Sequence, residues 1–151
     1  MSSPKLKVVI PAEKRAGEAR VATVPDVVGK LIRAGVSVEV ESGAGDRSQA
    51  TDEDFRKAGA TVSASVDLAT ADVVLSVNAL EPAVLAKLKK GALTISFLSP
   101  TASLDSITAA KSAGVTAFSL ELVPRISRAQ SMDALTSQAL CAGYRAALVA
   151  A

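Results

Sequence analysis

Short apolar runs and segments of helical period take turns along this chain. The runs "LKVVIP" (6 to 11), "VSVEVES" (36 to 42), "TVSA" (61 to 64), "ADVVLSVN" (71 to 78), "LTISFL" (93 to 98) and "TAFSLEL" (116 to 122) have strand length, and most are rich in Val, Ile and Leu. Between them, "VPDVVGKLIRAG" (24 to 35), "DEDFRKAG" (52 to 59), "PAVLAKLKKG" (82 to 91) and "SLDSITAAKSAG" (103 to 114) space apolar residues by three and four, which predicts helices. Gly35, Gly59, Gly91 and Gly114 close all four, where a helix C-terminus favours a left-handed residue. Several strands read as buried on both faces. The repeated order of strand, helix and glycine predicts an α/β fold: a three-layer, mostly parallel sheet with helices on both faces, flavodoxin-like or Rossmann-like.

Length adds that residues 1–151 form one α/β domain, since a chain of 151 residues buries about 68–70% of its unfolded surface and can stand on one core. Charge removes nucleic acid as a partner: 17 basic against 15 acidic residues leave a net charge of +2, and the basic residues are scattered singly or in pairs such as Lys89-Lys90. Cys141 is the one cysteine and there is no histidine, so an internal disulfide and a metal site of sulfur and imidazole are both excluded. Its setting in "SQALCAGYRAAL" predicts a small hydrophobe buried on an apolar helix face. No apolar run approaches the roughly 18–20 residues of a spanning helix, and no signal-peptide pattern opens the chain, so a soluble, cytoplasmic chain is expected.

Three stretches carry candidate chemistry. "GAGDRS" (43 to 48) follows a strand, as a nucleotide fingerprint should, but Ser48 stands at the third glycine position and no helix opens behind it; a tight turn through Gly43 and Gly45 is expected. The first βα loop, "PAEKRAGEARVATVP" (11 to 25), sets Glu13, Lys14, Arg15, Glu18 and Arg20 at a strand's carboxyl end, where open α/β sheets place ligands. A solvated charged loop and a binding loop both fit it. Arg20, next to apolar Val21-Ala22, is expected to be held near the sheet and to meet a carboxylate of the protein or of a ligand. Third is "PRISRAQSMD" (124 to 133), with Arg125, Arg128, Gln130 and Asp133. As structure, Ser127 and Gln130 fit a capping box and Asp133 the first helical turn. As a site, Arg125 and Gln130 offer donors to an amide carbonyl and ribose hydroxyls, and Asp133 offers an acceptor. The loop contains no general base, so it would position a cofactor that carries its own reactivity.

"RVATVP", "VEVESGAGDRS", "FRKAGATV", "ADVVLSVNA" and above all "PRISRAQSMDALTSQ" with "AGYRA" resemble the N-terminal part of the alpha subunit of proton-translocating NAD(P) transhydrogenase, within the alanine dehydrogenase/transhydrogenase N-terminal family. The resemblance implies that the third loop lies over the nicotinamide of NAD(H), with Arg125, Gln130, Asp133 and Thr136 as cofactor-binding residues, Arg20 and Tyr144 as accessory ones, no catalytic residue and no metal. It implies hydride transfer from NADH to NADP⁺, with NADP(H) carried by the beta subunit, coupled to proton translocation through a membrane domain. The partners implied are that subunit, that domain and the remainder of the alpha subunit, in a homodimer peripheral to the inner membrane. The family's Rossmann domain, which holds most of the NAD(H), is absent, and "YRAALVAA" (144 to 151) falls inside the long helix that leads to it. A fragment or split product is therefore expected, binding NAD(H) weakly or not at all by itself. Two alternatives stand: an alanine dehydrogenase-like oxidoreductase and a non-catalytic α/β binding or scaffold module. In alanine dehydrogenase a lysine and a histidine serve catalysis and substrate grip, and their positions fall here on Asn78 and Ser99.

Overall fold

A computed structural model describes residues 6–151. Six parallel strands form one sheet in the order β3-β2-β1-β4-β5-β6: β1 Lys7–Ile10, β2 Ser37–Glu41, β3 Thr61–Ser63, β4 Val73–Asn78, β5 Leu93–Phe97 and β6 Thr116–Ser119. The helices are α1 Pro25–Arg33, α2 Asp52–Lys57, α3 Pro82–Leu85, α4 Leu104–Ala113 and α5 Ala134–Ala150. All six expected strands and four expected helices form, and the sheet is wholly parallel.

Strand alternation builds a core on each face. Val8 and Ile10 of β1 join Val38 and Val40 of β2, Val28 of α1 and Phe55 of α2 in one cluster. Val9, between them in sequence, points the other way and meets Val74, Leu85, Leu88 and Ala110. β1 is thus buried on both faces, as its unbroken apolar run predicts. Gly35, Gly59, Gly91 and Gly114 all adopt the left-handed conformation, with φ between +66° and +97°.

Two expected elements are shortened. The apolar period of 82–91 predicts a helix to Gly91, yet α3 ends at Leu85. Lys87 N–H and Leu88 N–H bond back only three residues, to Val84 and Leu85, and this tighter winding turns both Leu85 and Leu88 into the core. The run 116–122 stops being a strand at Ser119, and Leu120–Leu122 form a 3-10 turn. There the Glu121 carboxylate turns back to accept from Leu98 N–H (3.0 Å), Ser99 N–H and the Ser119 hydroxyl (2.5 Å).

The capping box expected at Ser127 and Gln130 does not form. Ser127–Met132 is a 3-10 helix whose N–H groups find carbonyls three residues back, and Asp133 caps α5. Cys141 also departs from expectation: it is exposed, because α5 buries none of its 17 residues. No helix among the described residues is long and apolar enough to cross a membrane.

Candidate functional site at the switch point

The chain leaves β1 for β2 on one side and enters β4 on the other, so the loops after β1 and β4 diverge at the carboxyl edge. A crevice must open between them. It is a cavity of about 670 Å³, within the roughly 300–1,000 Å³ of small-molecule sites. The loop after β1 contributes Glu13, Lys14, Arg15 and Arg20, β4 contributes Asn78, β5 and its loop contribute Phe97 and Ser99, and α5 contributes Leu135 and Gln138.

The carboxylates of the first loop are engaged. Glu13 accepts from Val77 N–H, from Asn78 N–H at 3.3 Å and from the Asn78 side chain at 2.9 Å, which fastens the loop to the end of β4. Glu18, with a side chain only 8% exposed, takes a bidentate fork from Arg20 at 2.7 and 2.6 Å and a further bond from Asn78 at 3.0 Å. Hydrogen bonding from Arg20 is the main reason that its pKa falls from 4.5 to about 2; burial opposes the fall and Asn78 adds to it. Arg15 donates to the side-chain oxygen of Asn78 at 3.2 Å.

The loop after β2 braces this arrangement. Arg47 donates to the Glu18 carbonyl at 3.0 Å and Ser48 to the Ala19 carbonyl at 2.5 Å. The turn "GAGDRS" is tight because Gly45 has no side chain: a Cβ there would lie 2.3 Å from the Ala50 carbonyl oxygen. Across the cavity Ser99 sits at φ +47°, a left-handed conformation uncommon for a residue with a side chain. Glu121 holds it by accepting its N–H. Burial alone would raise the Glu121 pKa, but bonds from Ser119 and from the backbone of Ser99 and Leu98 bring it below the ordinary value.

Of the residues singled out in the sequence, Arg20 lines the cavity, whereas Arg125, Gln130, Asp133, Thr136 and Tyr144 do not. Arg125 and Gln130 are exposed in the segment that leads into α5, and Asp133 is its N-cap. The Asp133 carboxylate accepts from Thr136 N–H at 2.9 Å and the Thr136 hydroxyl at 2.6 Å. Those two bonds, with a smaller contribution from the Arg125 charge, lower its pKa against slight desolvation. Tyr144 lies further along α5 and is 69% exposed. Gln138 and Phe97 carry no signal in the sequence that marks them, because each enters the cavity through contacts distant along the chain.

An all-parallel sheet of this strand order, with its cavity at the switch point, defines a Rossmann-like α/β protein. The family described as "Alanine dehydrogenase/PNT, N-terminal domain" matches residues 9–142, and the chain belongs to it. It is 43% identical over 150 residues to the first alpha-subunit component of the NAD(P) transhydrogenase of Rhodospirillum rubrum, covering 95% of this chain and 39% of that protein. Alanine dehydrogenase of Mycobacterium tuberculosis is 36% identical over 120 residues, covering 78% of this chain and 32% of the enzyme. Among solved structures, the transhydrogenase from Sinorhizobium meliloti superposes with a TM-score of 0.90 at 42% identity, covering 94% of this chain and 43% of that one. The chain thus spans about two-fifths of the length of the Rhodospirillum rubrum relative.

Proposed function

We propose that this chain forms the nicotinamide-side wall of an NAD(H) site in the alpha subunit of a proton-translocating NAD(P) transhydrogenase. Bound NADH would supply the hydride, and NADP⁺ on a beta subunit would accept it, leaving NAD⁺ and NADPH. Arg125 and Gln130, both exposed, would donate to the carboxamide and ribose hydroxyls. Asp133 would accept, since a carboxylate has about four acceptor positions and Thr136 fills two. Thr136 orients Asp133 through its hydroxyl and its N–H. The remaining partners are the rest of the alpha subunit, a membrane domain and a second copy of the subunit. The exposed stripe Leu140, Tyr144 and Leu148 on α5 supports contact with another surface.

The observation that carries this proposal is the state of the groups at the switch-point cavity. Glu18 is held at about 2 by Arg20, far too acidic to take up a proton near neutral pH, and Glu13 is occupied by three N–H groups. Asn78 and Ser99 stand where the alanine dehydrogenase resemblance calls for lysine and histidine. Hydride exchange between two nicotinamides asks nothing of a protein acid or base. Two assays on the intact protein decide the matter. With an NADP(H)-carrying partner, NADPH should reduce an oxidised NAD analogue, while alanine with NAD⁺ should yield no NADH. Alanine-dependent NADH formation would overturn the proposal.

A further inference from the structure

The turn "GAGDRS" and the loop of Arg20 are tied to each other, and together they reach α5. Arg20 has an acceptor for each guanidinium nitrogen: Nε and Nη2 donate to Glu18, and Nη1 donates to the Gln138 side chain at 3.2 Å. Its guanidinium carbon also stands 5.8 Å from the centre of the Phe97 ring, within cation–π range. A guanidinium so engaged is not waiting for a ligand carboxylate. Behind it, Glu18 is held by Asn78 through its side chain and by Arg47 through its carbonyl, while Ser48 holds the carbonyl of Ala19. The connection therefore runs from the loop after β2, through the loop after β1, to the second turn of α5. Gln138 lies five residues past Asp133, the cap that joins α5 to the segment with Arg125 and Gln130.

We propose that Arg20, braced by Glu18 and by the turn of Arg47 and Ser48, is a positioning residue: it sets the start of α5 and with it the placement of Arg125, Gln130 and Asp133. The proposal rests on the nicotinamide role given above for those three residues. It assigns the glycine-rich turn a purpose other than phosphate binding. It also gives Gln138 a function as the receiving end of the brace.

The test compares Arg20→Ala and Gln138→Ala with Gln138→Glu and Arg20→Lys in the intact protein. Amide hydrogen exchange is followed across residues 127–138, and steady-state hydride transfer is measured with the NADP(H)-carrying partner. Both alanine variants should exchange about two- to fivefold faster there, the scale of one partly exposed polar contact. Their kcat should fall about tenfold while NADH affinity stays within about twofold, because a small misplacement at the reacting centre costs rate before binding. Gln138→Glu should return exchange and kcat to wild-type values, since a carboxylate oxygen replaces the amide oxygen. Arg20→Lys should behave like alanine, because a point ammonium cannot fork to Glu18 and also span to Gln138. Unchanged exchange in both alanine variants overturns the proposal, and so does faster exchange with an unaltered kcat. If the wild type transfers no hydride, the nicotinamide role fails on its own, and the exchange rates alone decide whether the brace sets the start of α5.

Discussion

Asp133 shows how one side chain settles a local question that sequence leaves open. A capping box at Ser127 and Gln130, with Asp133 inside the helix, is a legitimate expectation from residue types. The chain instead winds a 3-10 turn first and gives the cap to Asp133, which accepts from Thr136 twice. Asp133→Ala should therefore lower the midpoint of thermal unfolding by about 2–4 °C, the scale of a lost cap in a chain of this size, whereas Gln130→Ala and Arg125→Ala should leave it within about 1 °C. Calorimetry on the three variants checks this. Glu18 makes a second prediction. Its folded pKa of about 2 lies below the ordinary 4.5, so the contribution of its bond to Arg20 is fully present above pH 4.5 and is lost as pH falls from there through about 2. Carboxyl NMR should place the Glu18 midpoint near 2 in the wild type and move it upward in Arg20→Ala. An unmoved midpoint would mean that Arg20 is not the cause.

Elements with strong local signals are the legible ones. Strands and helices follow from apolar period, and four glycines at left-handed φ mark the turns as anticipated. The early end of α3 escapes such reasoning because it depends on where Leu85 and Leu88 find the core, which is a tertiary matter. The candidate site is legible in its parts but not in its assembly. The first loop and Arg20 stand out by charge and position, yet Arg20 and Gln138 are 118 residues apart and nothing local connects them. Helix α5 is the plainest miss. An apolar composition predicts burial for Cys141, but no element among the described residues covers that face, so the thiol stays open. A thiol reagent should accordingly label Cys141 in the folded 151-residue chain at a rate close to that of the unfolded chain; slow labelling would show that α5 is covered.

At the scale of the molecule, two cores share one sheet, and they divide their work by position. Phe55 is the largest side chain that is wholly buried, and it holds α2 against β1 and β2 on the face of α1. Phe55→Ala should cost about 3–5 kcal/mol in a urea titration, the range for truncating a buried aromatic ring. Every loop that lines the cavity leaves a strand's carboxyl end, while the turns at Gly35, Gly59, Gly91 and Gly114 enter strands at the opposite, amino end. At Gly35 and Gly91 nothing lies within 4 Å of where a side chain would begin. That polarity separates two sides of the protein for anyone who wishes to modify it. A short Gly/Ser-flanked tag, a fluorophore-bearing peptide or an immobilisation handle spliced in at Gly35 would emerge on the far edge of the sheet. Surface attachment there would leave the cavity and the Arg125 loop facing solution.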